Sequence, residues 1–535
     1  MPKRTGKNIV KGTLILIVGN IVVKIIGALF KLPLANIVGA DGMGLYNAAF
    51  IVYDIFLVMA TAGYPLAVSK MVSRSCAIGN RYEALKILRV SKRIFLVMGL
   101  SFTALMAVGA KTFSAMIGNT RAYYAVLALA PAVLFVSLMS AYRGYYQGTN
   151  DMVPTTFSQV IEAVCRLAVG LSLSWYLKTN GYSAEIVAAG SIVGITVGEF
   201  SSTFALAMLH RSRMKKRHVP KRPCASAGRI IHTLFANAIP IAISTIIIAL
   251  INMLDNSIVM HRLQQIGYTE RQANTLYGAF NMAFTVFSLP VTVVSALTIS
   301  VFPVLSYAFA CKNYTRVART SEASLRMGMI AATASAALFL SLSYPLMMLL
   351  YFNQPKDALT AAPLLTMLAP SAVTISLTML TTAILQSIDR ILVPSRSSII
   401  GGIVCLGSNW LLVGNPKIGI FGAPVGIFVC YLITSVLNIR AIKKSGMLSV
   451  SYRGLLTKPL LPAVVMAVTG AAIFNLSIGS LGLIRASAFS VLLGLGNYIL
   501  VLFLNRTIEK KDLLILPRGE RIAALLEKMR LLRGT

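Results

Sequence analysis

The stretch GTLILIVGNIVVKIIGALFKLPLANIVGADGMG, residues 12–44, is apolar enough to enter a bilayer and yet carries Lys24 and Lys31. A lysine at the centre of a membrane helix costs roughly 2.5–3.5 kcal/mol on insertion scales, so such a side chain turns towards protein or water. The two lysines are about two helical turns apart and share one face, roughly 10 Å from end to end. Pro33 removes a backbone donor just beyond Lys31 and is expected to bend the helix there. A bent helix with a cationic stripe points to a cavity that receives an anion. The plainer alternative is that Lys31 lies near a helix end and snorkels to the interface.

The rest of the chain is of the same kind. Of its 535 residues 56% are hydrophobic and 12% charged, against about 25% charged in soluble domains. Apolar segments of the ~20 residues a bilayer needs recur about fourteen times, which makes this an all-α polytopic membrane protein. The eighth segment, 273–307, is long, and Pro290 and Pro303 are expected to break it. MPKRTGKNIVK has the positive flank of a secretory leader, but the apolar run after it is too long for one.

The net charge of +34 suggests nucleic acid at first sight. The basic residues, however, gather in alternate loops, as topology requires, so no nucleic-acid partner is expected. Both termini are expected on the cytoplasmic side of the membrane. The densest cluster, RSRMKKRHVPKR at 211–222, reads as a linker between two halves. The tail after residue 505 alternates basic residues with LLIL and AALLEKMRLL, a pattern for an amphipathic helix on the inner leaflet. Six cysteines lack metal spacing and read as free thiols, and four histidines show no paired spacing, so no metal site is expected.

The two halves repeat. Leu129-Ala130-Pro131 recurs as Leu368-Ala369-Pro370, each followed by a glutamine, Gln147 and Gln386, and then by a proline, Pro154 and Pro394, that opens the next segment. An offset of six segments preserves orientation, so the repeat is parallel. The expected domains are a six-helix lobe at 1–210, the basic linker at 211–230, a second six-helix lobe at 231–440, two added helices at 441–505 and the basic amphipathic tail at 506–535.

Few polar residues lie within the apolar segments. In PTTFSQVIEAVCRLAVGL, residues 154–171, Thr155, Ser158 or Gln159, Glu162 and Arg166 fall on one face, and Glu162 and Arg166 can pair at i, i+4. Lys24, Lys31 and Arg166 are the cations placed within helices. The stripe serves either as a cavity wall for hydroxyls and phosphate or as an internal ion pair between helices. Asp54 and Glu199 are candidates for taking up a proton or pairing with Lys24 or Arg166. Asp255 and Asn409 are candidate oxygen donors for a cation. No nucleotide-binding or hydrolase motif occurs. The chain therefore does not read as an enzyme, no cofactor is expected, and a Na⁺ or H⁺ gradient is a candidate energy source.

GNIVVKIIGALFKLPLANIVGADGMGLYNAAF, ATAGYPLAVSKMVSR, YRGYYQGTNDMVPTTFSQVIEAVCRL and the late LAP, ILQSIDR and VPSRSSIIGG together resemble the polysaccharide-transporter branch of the multidrug/oligosaccharidyl-lipid/polysaccharide (MOP) exporter superfamily, within it the SpoVB/MurJ-like lipid II flippases. The resemblance spans nearly the whole chain. It implies two six-helix lobes around a cavity that opens alternately to each side, and two further helices that form a groove for a polyprenyl tail. It implies that Lys24 and Lys31 stand where relatives carry first-helix basic residues, with Leu57 and Thr285 at positions that are basic in the MurJ branch. A Na⁺ site in some relatives would fall on Asp255 and Asn409, with Val413 at the place of a second acidic ligand. The expected function is a monomeric flippase for an undecaprenyl-pyrophosphate-linked sugar precursor in cell-wall, spore or capsular synthesis. Its substrate contacts would be Lys24, Lys31, Gln159, Glu162 and Arg166. The alternatives are a cation-coupled multidrug exporter, or a membrane enzyme or scaffold of wall assembly.

Overall fold

The computed structural model describes residues 3–215, 220, 223–446 and 452–505. The tail expected at 506–535 and part of the basic linker lie outside them. The described residues form α1 (Lys3–Thr61), α2 (Tyr64–Ala77), α3 (Arg81–Val108), α4 (Ala110–Met116), α5 (Tyr123–Gly148), α6 (Val153–Thr179), α7 (Ala184–Lys215), α8 (Ala227–Gln265), α9 (Glu270–Ala310), α10 (Tyr314–Leu350), α11 (Pro355–Ser387), α12 (Leu392–Val413), α13 (Gly422–Lys444) and α14 (Tyr452–Leu504), with no strand among them.

Among the described residues, twelve spans are long and apolar enough to cross a membrane. Two are too long to be single crossings. α1 has 59 residues and α14 has 53, about 80–90 Å at 1.5 Å per residue, against a hydrocarbon core of about 30 Å. Each is broken by a glycine with positive φ, Gly39 at 68° and Gly482 at 72°. An L side chain is strained in that conformation, so glycine at these points lets each long helix break into two. With α1 and α14 each holding two helices, the twelve spans are in keeping with the roughly fourteen apolar segments of the sequence.

The prolines behave differently from expectation. The break in α1 falls at Gly39, not at Pro33, which sits inside the helix. α9 likewise runs through Pro290 and Pro303 without a break. Along that stretch Thr285, Ser288, Thr292, Ser295, Thr298 and Ser300 donate to carbonyls three or four residues back. Such back-bonding is how membrane helices satisfy backbone groups near proline.

The repeat is visible in the packing. α3 packs on α5, α5 on α7 and α6 on α7. Six crossings later α10 packs on α11, α11 on α13 and α12 on α13. Pro131 and Pro370 sit inside α5 and α11, while Pro154 and Pro394 lie in the opening turns of α6 and α12. α14 is the addition, and it packs on α10. There Tyr498 donates to the Ile330 carbonyl at 2.7 Å.

Two compact units emerge, one of residues 1–264 with 268–278, the other of 265–267 with 279–535. The repeat and the compact units therefore divide the chain at different places, because α8 stays with the first unit. The linker is tied down where Asn80 Nδ2 donates to the Pro223 carbonyl (2.8 Å) and the Ala225 amide donates to Glu83 (3.3 Å). Ile230, Leu234 and Ala238 of α8 then join a core with Tyr64, Leu88 and Phe95. At the far end of α8, Ser257 and Gln264 donate to the Met116 and Gly118 carbonyls.

Candidate functional site

The first unit gathers its buried charges where α5, α6 and α7 meet α1. The α6–α7 contact is set by a run of glycines spaced four apart, Gly190, Gly194 and Gly198. A Cβ at Gly194 would stand 2.5 Å from the Gly170 backbone, and one at Gly198 would stand 2.7 Å from the Glu162 carbonyl. Small residues at this spacing let two membrane helices approach backbone to backbone. The approach brings Glu199, one residue past the seam, beside the polar stripe of α6.

The stripe pairs as its spacing predicts, and it gains a partner. Glu162 Oε1 accepts from Arg166 and Oε2 accepts from Arg143, each at 3.0 Å. Arg143 Nε also donates to Ser158 Oγ at 3.2 Å, and Ser158 Oγ donates to the Thr155 carbonyl. Sequence reasoning misses Arg143, which lies near the end of its apolar segment and groups with the loop cations. The Gly190–Gly194–Gly198 spacing is the signal that foretells which helix packs against the stripe.

Around this three-charge group stand Lys31, Glu199 and Tyr53. Lys31 is half-buried and within electrostatic reach of Arg166. Glu199 is 4% exposed, and its Oε2 has no hydrogen-bond partner. It feels the charges of Glu162, Arg166 and Arg143. Tyr53 is 2% exposed with an unpartnered hydroxyl, near Glu199, Glu162 and Arg166. Arg166 Nε and Gln159 Oε1 are also buried without partners. The site thus holds two guanidiniums on one carboxylate, a nearby ammonium, and unused donors and acceptors. That set suits a phosphate oxygen and a proton or hydroxyl beside it.

The remaining candidates are more dispersed. Lys24 is exposed on α1, about two helical turns before Lys31. Asp54 is half-buried and forms no ion pair with Lys24 or Arg166 among the described residues. Asp255 is half-buried on α8 in the first unit. Asn409 belongs to the second unit, fully buried, with its amide against Gly426 of α13. Val413 is fully buried. Thr285 donates back to the Asn281 carbonyl at 2.8 Å. No group of three or more His, Cys, Asp or Glu able to hold a metal occurs among the described residues.

A second polar cluster lies at the other end of the first unit. Arg121, two residues before α5, makes a bidentate pair with Asp41 (both 2.8 Å) and bonds Glu185 (2.7 Å). Asn274 of α9 donates to Asp41 Oδ1 at 2.6 Å and accepts from Asn119 at 2.7 Å. Glu270 accepts from Thr120 at 2.9 Å. These bonds hold the first turns of α9 against α1 and α5.

Comparison with known proteins follows the same lines. Residues 9–309 match the family described as polysaccharide biosynthesis protein. The chain is similar to stage V sporulation protein B of Bacillus subtilis, 25% identical over 512 residues, which covers 95% of this chain and 97% of that protein. It is 24% identical to the lipid II flippase MurJ of the same organism, with 88% of each covered. Among solved structures, it superposes on an inward-facing multidrug resistance MATE family transporter of the MOP superfamily. The TM-score is 0.66 at 14% identity, with 78% of this chain and 94% of that one covered. A MOP superfamily transporter from Pyrococcus furiosus gives a TM-score of 0.58, also at 14% identity, covering 82% and 96%.

Proposed function

The chain belongs to the polysaccharide biosynthesis protein family, in the SpoVB/MurJ-like branch of the MOP superfamily, and from this we propose that it is a flippase for an undecaprenyl-pyrophosphate-linked sugar. The precursor is taken from the cytoplasmic leaflet and released on the other side by alternating access. Both termini face the cytoplasm, in keeping with the basic residues of alternate loops. The observation that supports the reading most is the excess of part-buried positive charge in the first unit: Arg143 and Arg166 share Glu162, and Lys31 lies within electrostatic reach of Arg166.

In this reading Lys24, exposed on α1 about two turns before Lys31, meets the pyrophosphate first. Lys31 and the guanidiniums then hold it. Both lysines are point charges without the bidentate fork of arginine, so the guanidiniums supply the geometry. In a low-dielectric wall each cation attracts an anion more strongly than in water. Gln159 supplies an acceptor for a sugar hydroxyl. Glu199, dry and beside Glu162, is the carboxyl best placed to exchange a proton when the site fills or empties. Asp54 is a second proton candidate, and Asp255 and Asn409 remain candidates for Na⁺. A drug exporter of the same fold would present a net acidic pocket to its cationic cargo, whereas the buried cluster here leans positive.

Complementation of a flippase-depleted strain tests the proposal. Lys24→Ala and Lys31→Ala, each expressed at wild-type level in the membrane, are expected to fail to restore growth. Full rescue by both would refute the assigned site.

A further inference from the structure

A cavity of about 360 Å³ opens at the basic-loop end of the first unit, between the start of α3 and the end of α7. Tyr82, Arg89, Lys92 and His210 form its polar side, and Leu88 and Met214 are part of its apolar side. No carboxylate lines it. Arg89 and Lys92 have no ion pair among the described residues, and instead they lie over tyrosine rings. Arg89 is 5.6 Å from the Tyr82 centroid and Lys92 is 4.9 Å from the Tyr142 centroid. The rings hold both cations in place without neutralising them. His210 is fixed edge-on against Tyr142 and Tyr145, with centroids 5.7 and 5.5 Å away. Along the Arg89 face of α3 the next turns present Leu96, Val97 and Leu100, which are 41%, 64% and 50% exposed.

We propose that this cavity binds an anionic phospholipid of the cytoplasmic leaflet, with the phosphate between Arg89 and Lys92 and an acyl chain along Leu96 and Leu100. The charge asks for an anion. The apolar wall and the exposed track beside it ask for a hydrocarbon chain on that anion, which a free phosphate lacks. Neither cation belongs to the Arg143–Glu162–Arg166 group, so the lipid is a bound companion and not the transported substrate. The proposal uses the orientation given above and is independent of which sugar lipid is moved.

The test is native mass spectrometry of the full chain released from vesicles of phosphatidylcholine and phosphatidylglycerol. Wild type is expected to retain phosphatidylglycerol in preference to phosphatidylcholine. The double variant Arg89→Gln/Lys92→Gln is expected to retain it roughly ten- to thirtyfold less well, from two lost juxtamembrane cations. The charge-keeping pair Arg89→Lys/Lys92→Arg should restore retention, which separates loss of charge from loss of fold. Glycerol phosphate in excess should leave the retained lipid in place. Equal retention by wild type and the Gln pair would overturn the proposal, as would equal retention of phosphatidylcholine. Complete displacement by glycerol phosphate would overturn the lipid assignment in favour of a free anion. No arm measures flipping, so a failed flippase reading would leave these results unchanged.

Discussion

Each oxygen of the Glu162 carboxylate accepts from a different guanidinium, so removing its charge strands two cations at once. All three side chains are 17–26% exposed. Glu162→Gln is therefore expected to destabilise the first unit by about 1–3 kcal/mol, below the roughly 3–5 kcal/mol of a fully buried pair because these groups are part-exposed. Thermal unfolding of the detergent-purified protein checks this, and an unchanged midpoint would mean the charges are solvated. Arg143→Gln leaves Glu162 paired with Arg166, so a smaller loss of stability is expected. Translocation should nonetheless fall roughly ten- to hundredfold if a charge-assisted contact to phosphate is lost. At this scale the i, i+4 spacing of Glu162 and Arg166 makes their pair legible from sequence alone. Arg143 is hidden by its nearness to a helix end, because nothing local separates a snorkelling arginine from one that turns inward.

Helix pairs, not single residues, decide where those charges meet. The Gly190–Gly194–Gly198 seam lets α7 lie on α6, and Gly194→Leu would drive a side chain into the Gly170 backbone. Overpacking of this kind typically disfavours a fold by about 1–3 kcal/mol. The expected result is a lower melting temperature and the loss of Glu199 from the cluster, read as reduced translocation. A Gly194→Leu variant with wild-type stability would contradict the close approach. At the opposite end, Arg121 ties Asp41 and Glu185 together, while Asn274 ties α9 to Asp41. Arg121→Gln takes the bidentate partner from Asp41, which keeps only the exposed Arg271 at 3.8 Å, and the closest cation from Glu185. Loss of about 1–3 kcal/mol is expected, weaker in high salt because the cluster is partly exposed. The hydrophobic runs announce these helices well. They do not announce that hydroxyl back-bonding carries α9 through two prolines, since composition alone cannot show which carbonyls a serine or threonine will reach.

For the whole molecule, the parallel repeat was readable in three matched landmarks, and the packing of α3, α5, α6 and α7 recurs in α10 to α13. The compact units depart from it, because α8 is fastened to the first unit by contacts far apart in sequence, such as Asn80 with Pro223 and Gln264 with Gly118. Such contacts leave no periodic trace. The most direct test of the account is translocation of an undecaprenyl-pyrophosphate-linked sugar in reconstituted vesicles, with wild type against Lys31→Ala and Arg143→Gln, at several membrane potentials. The account predicts flipping by wild type and a loss of at least roughly tenfold in each variant. Flipping by both variants at the wild-type rate, or none by a folded wild type, would contradict it.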